Sequence, residues 1–299
     1  MSIAYLSDPH DSRVVEYRNM PDGVLLRERG LFVAEGRLVV RQLLTASRLR
    51  PQSLLVTEAA LASLTDVLAA MPDLPVYVAP QVVLNDIVGF NIHRGCLAIG
   101  LRPPRMALSD LVNKPSARLS EEELHTSGST MSGTATGSES VCGRHAHAVS
   151  RAVVLERVSN VDNVGGIFRS VAALCGHAVI LSPGCGDPLY RKAIRTSMGA
   201  SLRVPFALAE HWPGALGELT GAGFTLLALT PAPGADLLEE VAADIQARPR
   251  VALLLGAEGE GLSPAALESA HLRVRIPMAS GIDSINVTMA AAIALYRIV

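Results

Sequence analysis

Two strand-like runs near the carboxyl end of the chain, each breaking into a glycine-bearing loop, restrict the fold more than any other feature. Leu253 to Leu255 runs into Gly256-Ala257-Glu258-Gly259-Glu260-Gly261, and Leu272 to Ile276 runs into Pro277-Met278-Ala279-Ser280-Gly281. An apolar run that stops at a glycine loop reads as a buried strand of a parallel sheet with both faces covered. In such sheets ligands bind outside the carboxyl ends of the strands, so these loops mark the edge where chemistry is expected.

The same alternation runs through the rest of the chain. In the first part, Leu31 to Ala34, Ser53 to Thr57, Pro75 to Val78 and Gly95 to Ile99 read as strands, with helices near Arg37 to Ala46 and Leu61 to Ala70. From Pro103 the pattern dissolves, and Thr126 to Ser140 is almost wholly Ser, Thr, Gly and Ala, too poor in apolar surface to order itself. Beyond it, Ala152 to Leu155, Ala178 to Ser182, Leu202 to Val204, Phe224 to Thr230, Arg250 to Leu255 and Leu272 to Ile276 read as strands separated by helical segments. The expectation is an α/β chain in three parts: a small α/β domain over 1–102, a flexible linker over 103–147, and a mostly parallel sheet covered by helices over 148–299. A length of 299 residues accommodates two cores.

Composition narrows the class of function. Hydrophobic residues make up 49% of the chain, yet no run is long and apolar enough to span a bilayer, and no basic start precedes an apolar core. We therefore expect a soluble, cytoplasmic protein without a membrane partner. Cys96, Cys142, Cys175 and Cys185 form neither a C-x-x-C pair nor a regular framework, which argues against disulfides and a structural metal. The net charge of −2 does not advertise nucleic-acid binding. Lysine, however, occurs only at Lys114 and Lys192, so the positive charge is mostly arginine, the better fork for phosphate. Arginines gather at Arg37, Arg41, Arg48 and Arg50, and again at Arg191, Arg195 and Arg203 beside Lys192; either group suits a phosphate backbone or a solvated helix face.

Three segments of the second domain carry candidate chemistry. Asn160 to Ser170 (Asn-Val-Asp-Asn-Val-Gly-Gly-Ile-Phe-Arg-Ser) follows a strand and opens a helix that places Asn163, Gly166 and Arg169 on one face. A cap and tight turn account for Ser159 to Gly165, but not for an arginine between Phe168 and Ser170. Gly256 to Gly261 has neither the Gly-Lys-Ser/Thr of a P-loop nor the spacing of a dinucleotide fingerprint, which disfavours ATP and NAD. It leaves a backbone surface able to wrap an adenosine-like ligand, with Glu258 as an acceptor or brace. The third segment has Pro277 closing a strand, then Gly281, Ser284 and Asn286 before the apolar helix Val287 to Ile298. Ser284 is the expected N-cap, whereas an amide at Asn286 needs partners if it is buried.

In this order and spacing the three segments resemble the signature motifs of the SpoU (TrmH-like) family of SPOUT RNA methyltransferases. The likeness runs from about Val153 to the end of the chain, with Ile285 and Thr288 as conservative departures from the commoner leucine and serine. Phe32 to Gly36, Leu55 to Glu58 and His93 to Ala98 are similar to the family's substrate-binding domain, which resembles small ribosomal proteins. The resemblance implies a C-terminal sheet threaded as a trefoil knot, a homodimer, and transfer of methyl from S-adenosylmethionine to a ribose 2′-hydroxyl of RNA, ribosomal RNA more than transfer RNA. It implies catalytic positions at Asn163, Arg169, Glu258, Ser284 and Asn286. It implies methyl-donor contacts at Thr230, Leu255, Gly256, Gly261, Ile276, Met278 and Ile285, and no metal.

Within that reading Arg169 is expected to do the central work. Arginine rarely gives up its proton, so it stabilises a developing alkoxide or a neighbouring phosphate while water or a phosphate oxygen takes the proton. Asn163, Ser284 and Asn286 are expected to fix the ribose and the arginine, with Glu258 holding the arginine. Two rival readings stand beside it: a non-catalytic, dimeric RNA-binding scaffold, and a small-molecule enzyme with a Rossmann-like site.

Overall fold

The computed structural model describes residues 2–18, 21–45, 48–92, 95–113, 150–174 and 176–299. The chain divides into two compact units, the first made of Met1–Pro104, Asn160–Arg169 and Gly186–Arg203, the second of Arg105–Ser159, Ser170–Cys185 and Val204–Val299.

The first unit is built on a five-stranded sheet of β1 (Ser2–Tyr5), β2 (Leu31–Glu35), β3 (Arg50–Val56), β4 (Pro75–Val78) and β5 (Cys96–Leu101), in the order β1-β4-β3-β5-β2. β4 runs parallel to β1 and β3, while β5 is antiparallel to β3 and β2. Helices α1 (Asp22–Arg29), α2 (Arg37–Thr45), α3 (Glu58–Ala62), α4 (Thr65–Leu68) and α5 (Gln81–Val88) connect the strands. The helix expected over Leu61 to Ala70 is two short ones, broken where Ser63 Oγ turns back to the carbonyl of Ala60 at 2.7 Å. One core cluster packs Leu25, Leu31, Val33, Leu55, Leu84, Leu97 and Ile99 together, each such side chain contributing about 1.5–3 kcal/mol of burial.

The second unit is built on a seven-stranded sheet in which every pairing is parallel. Its strands are β6 (Ser150–Glu156), β7 (Ala178–Leu181), β8 (Phe206–Leu208), β9 (Thr225–Leu229), β10 (Asp236–Leu237), β11 (Arg250–Gly256) and β12 (Leu272–Arg275), ordered β10-β12-β9-β11-β6-β7-β8. Its helices are α6 (Leu108–Asn113), α9 (Gly214–Gly221), α10 (Leu238–Gln246), α11 (Pro264–Ser269) and α12 (Val287–Ile298), while α8 (Arg191–Thr196) belongs to the first unit and α7 (Val161–Ala173) is divided after Arg169. β11 lies between β9 and β6, and Val251 to Leu254 are wholly buried, as its unbroken apolar run requires. Arg151, at the start of β6, is itself buried. It donates to the carbonyls of Ile298 (2.8 Å), Arg248 (3.0 Å) and Gln246 (3.1 Å), tying the last turns of α12 and α10 to the sheet.

Two expectations need correction. Leu202 to Val204 is no strand: a 3-10 turn occupies Ala200–Leu202, and the edge strand begins later at Phe206. Gly199, at φ +83°, caps the preceding turn and sends the chain into that 3-10 segment, so the apolar residues Leu202 and Val204 are buried without a ladder. Leu108–Asn113, inside the stretch read as linker, is a helix, because Leu108 and Val112 join the core of the second unit beside Leu216 and Leu226. The rest of that stretch, 114–147, including Lys114, Cys142 and the Ser/Thr/Gly run, lies outside the described residues, as do His93, Arg94 and Cys175.

Candidate functional site

Three neighbouring strands, β12, β9 and β11, point their carboxyl ends the same way, so the segments after Leu229, Gly256 and Arg275 leave one edge of the sheet. Thr230, Gly256 and Ile276 are thereby brought to that edge, each half-buried. Thr230 N–H donates to the carbonyl of Val274 at 2.9 Å, continuing the β9–β12 ladder into the loops. Leu255 is buried in the last turn of the ladder, while Met278 and Ile285 are half-buried.

The loop after β11 folds back on itself. Gly261 N–H donates to the Ala257 carbonyl at 2.9 Å, and the two residues form an isolated antiparallel bridge. Gly259 and Gly261 take φ values of +85° and +71°, which glycine accepts without strain. Gly256 is required for a different reason: a Cβ there would lie 2.1 Å from the carbonyl carbon of Gly261. The loop's return is possible only over a residue without a side chain.

Glu258 stands exposed on this loop, and its Oε1 accepts a hydrogen bond from Asn286 Nδ2 at 2.9 Å. Asn286 is exposed, and it is the N-cap of α12, its Oδ1 accepting Thr288 N–H at 2.9 Å. This corrects the expectation that Ser284 caps the helix: α12 opens at Val287, two residues too far from Ser284 for its hydroxyl to serve the first turn. One amide thus caps the helix with its oxygen and holds the glycine loop with its nitrogen. Ser284 is exposed in the segment before it.

Asn163 and Arg169 both lie on α7, whose start is closed by Asn160 Oδ1 accepting Asp162 N–H at 3.0 Å. Asn163 is 6% exposed, Gly166 is half-buried and Arg169 is exposed, so their shared face grades from core to surface. Gly165 lies within the helix rather than in a tight turn, and a side chain is excluded there because a Cβ would come within 2.5 Å of the Ala193 carbonyl of α8. Lys192 pairs with Asp162 at 2.6 Å, and its hydrogen bond holds that carboxyl below the usual range. Several arginines singled out in the sequence are likewise engaged: Arg41 grips Asp66 through both Nη atoms at 2.6 and 2.8 Å, and Arg191 faces Asp22.

Sequence reasoning missed Glu156, Arg157 and Trp212. Glu156 is 2% exposed and accepts from Trp212 Nε1 at 2.6 Å and from Ser263 N–H at 2.8 Å. Arg157 takes φ +55° and pairs with Glu260 at 2.9 Å. The available signal was a Glu-Arg pair ending an apolar strand. Among the described residues no group of His, Cys, Asp and Glu is arranged to hold a metal ion, and no helix is long and apolar enough to cross a membrane.

An all-parallel sheet with glycine loops at three adjacent strand ends defines an α/β protein with a ligand edge, and comparison with solved structures gives the fold of SPOUT methyltransferases. The AdoMet-bound rRNA methyltransferase from Sinorhizobium meliloti superposes with a TM-score of 0.75 at 20% identity, over 99% of this chain and 97% of that one. The SpoU methyltransferase AviRb from Streptomyces viridochromogenes, in complex with AdoMet, gives 0.71 at 19% identity, over 96% and 97% of the two chains. In sequence, a protein of Mycobacterium tuberculosis strain H37Rv described as an uncharacterized tRNA/rRNA methyltransferase is 39% identical over 303 residues, 99% of this chain and 92% of that one. The profile of the SpoU rRNA Methylase family matches residues 150–296. The chain belongs to the SpoU family of RNA methyltransferases.

Proposed function

We propose that this protein transfers a methyl group from S-adenosylmethionine to a ribose 2′-hydroxyl of structured RNA, with ribosomal RNA its preferred substrate. The observation that carries the reading is the Glu258–Asn286 hydrogen bond, which joins the glycine loop after β11 to the segment after β12 at the ligand-binding edge of a SpoU-family sheet. A solved neighbour at 24% identity is described as an RNA 2′-O ribose methyltransferase, and two others hold AdoMet, in line with this chemistry.

The residues fit the donor. Half-buried Ile276, Met278 and Ile285 offer an apolar seat for a purine, and the backbone around Thr230, Leu255, Gly256 and Gly261 offers donors and acceptors for its polar edges. When bound, the donor supplies an electrophilic methyl group on a sulfonium. Arg169 stays protonated and stabilises the alkoxide that develops on the ribose, or an adjacent phosphate; the hydroxyl proton passes to water or a phosphate oxygen. Asn163 and Ser284 orient the ribose and its neighbours, and Asn286 and Glu258 keep the loop in place. In this reading 1–102 grips the RNA, 103–147 tethers it to the transferase part 148–299, and the latter threads the family's trefoil knot. The protein acts in the cytoplasm as a homodimer, for which the exposed stripe Met289, Ile293 and Tyr296 on α12 provides an apolar face.

The test is methyl transfer from labelled S-adenosylmethionine into separate pools of unmodified ribosomal and transfer RNA, followed by nucleoside analysis. We expect 2′-O-methylation in the ribosomal pool, with Arg169→Ala lowering turnover at least about a hundredfold while donor binding is retained. Donor binding without incorporation into either pool would favour the RNA-binding scaffold instead.

A further inference from the structure

A buried carboxylate sits where the sheet meets the glycine loop, and the chemistry assigned so far makes no use of it. Glu156 ends β6 in register with Gly256 of β11, so the loop leaves the sheet beside it. The loop returns to it as well, since Ser263 N–H donates to Glu156 Oε2 at 2.8 Å. Oε1 is taken by the indole N–H of Trp212 at 2.6 Å, and this is the single tryptophan of the chain. Both donors are neutral, and the group is 2% exposed. Burying a carboxylate against neutral donors alone is costly, so packing by itself gives this strand end little use for one. What the carboxylate adds is a fixed position for one backbone amide.

The same strand end holds the loop a second time. Arg157 turns into the left-handed region at φ +55°, its N–H donates to Ser182 Oγ at 2.9 Å, and its guanidinium reaches Glu260 at 2.9 Å. The loop is thus held at its return by Glu156 and at its tip by Arg157, and Glu258, ahead of both anchored positions, meets Asn286. The geometry points to Glu156 as a positioning residue for methyl-donor binding: it sets the glycine loop through Ser263 N–H, and Trp212 fixes the carboxylate from the other side. The inference rests on the proposed use of S-adenosylmethionine.

A double-mutant cycle separates this role from a merely structural one. In Glu156→Gln the amide oxygen satisfies only one of the two donors and the NH2 group opposes the other; Trp212→Phe removes that second donor. We expect Glu156→Gln to weaken S-adenosylmethionine binding in calorimetry roughly tenfold and to raise its KM with kcat little changed, as loss of uniform binding does. Trp212→Phe alone should change affinity by less than about threefold, and the double variant should recover most of what Glu156→Gln loses. In the wild-type protein, tryptophan emission should change on titration with the donor and saturate along the calorimetric isotherm, a readout independent of any variant's folding. Wild-type affinity in Glu156→Gln, no recovery in the double variant, or emission unmoved by a donor that binds would each overturn the inference and leave the proposed function standing. A wild-type protein that binds no donor removes the proposed function and this inference together.

Discussion

Asn286 carries two duties that a single substitution separates. Its oxygen caps α12 and its nitrogen donates to Glu258. Asn286→Asp keeps a good cap, because aspartate serves the N-cap position as well as asparagine does, but sets a carboxylate against Glu258 in place of a donor. We expect this variant to melt close to the wild type while losing about tenfold in methyl-transfer kcat/KM. Asn286→Ala should lose the activity and also about 1 kcal/mol of stability with the cap. Thermal melts and steady-state kinetics on the pair distinguish the two duties, and equal activity of Asn286→Asp and wild type would show that the Glu258 contact is idle. Asn286 stood out in the sequence because a polar amide precedes an apolar helix. Its capping role was not legible, since capping depends on where the first turn starts, which serine, isoleucine and asparagine in succession leave open.

The strands β9 and β11 were readable as apolar runs and β12 as an alternating run that stops before Pro277, and their parallel pairing followed from the helices between them. Short or weakly apolar pieces were not readable: β1 and the two-residue β10 carry no pattern, and α6 is held by Leu108 and Val112 through contacts distant in sequence. Gly256 illustrates what glycine in a motif conceals, because its need is set by Gly261 crossing above it rather than by its own dihedrals. Gly256→Ala should therefore displace the loop and abolish measurable donor binding in calorimetry, while the far-UV circular dichroism of the sheet and helices stays unchanged. The start of β6 makes a second prediction. His177 Nδ1 accepts Arg151 N–H at 3.0 Å, and burial together with the Arg151 charge lowers the imidazole below its ordinary value of 6.5. Burial also lowers Arg151, to about 10, so it stays charged throughout. Because the folded state prefers neutral His177, its contribution is fully present above 6.5 and is lost as pH falls from there toward the lower folded value. Melting temperature should decline as pH falls below 6.5, and His177→Gln should flatten that decline. An unaltered slope in the variant would assign the pH dependence to other groups.

At the scale of the whole molecule the sheet buries its own strands, but α12 leaves one face open. Val287, Ala291, Ala294, Leu295 and Ile298 are buried, while Met289, Ile293 and Tyr296 are 63%, 42% and 65% exposed. The exposed three recur at intervals of four and three residues, so they form a stripe along one side of the helix rather than scattered surface residues. A continuous apolar stripe of this kind calls for a partner surface, and a second copy meets it most simply, since a two-fold axis brings the same stripe against itself. The neighbouring Glu258–Asn286 bond lies at the first turn of the same helix, so association through α12 would also steady the end that holds the glycine loop. Replacing Ile293 and Tyr296 with glutamate places charge in the stripe without disturbing the buried side of the helix. Light scattering after size exclusion is expected to find a dimer for the wild type and a monomer for the double variant. The monomer should bind S-adenosylmethionine at least about threefold more weakly, because an unsupported helix start lets the loop fray. If the wild type runs as a monomer at micromolar concentration, the stripe has some other occupant and the proposed homodimer falls. If both proteins are dimers, a different face holds the copies together.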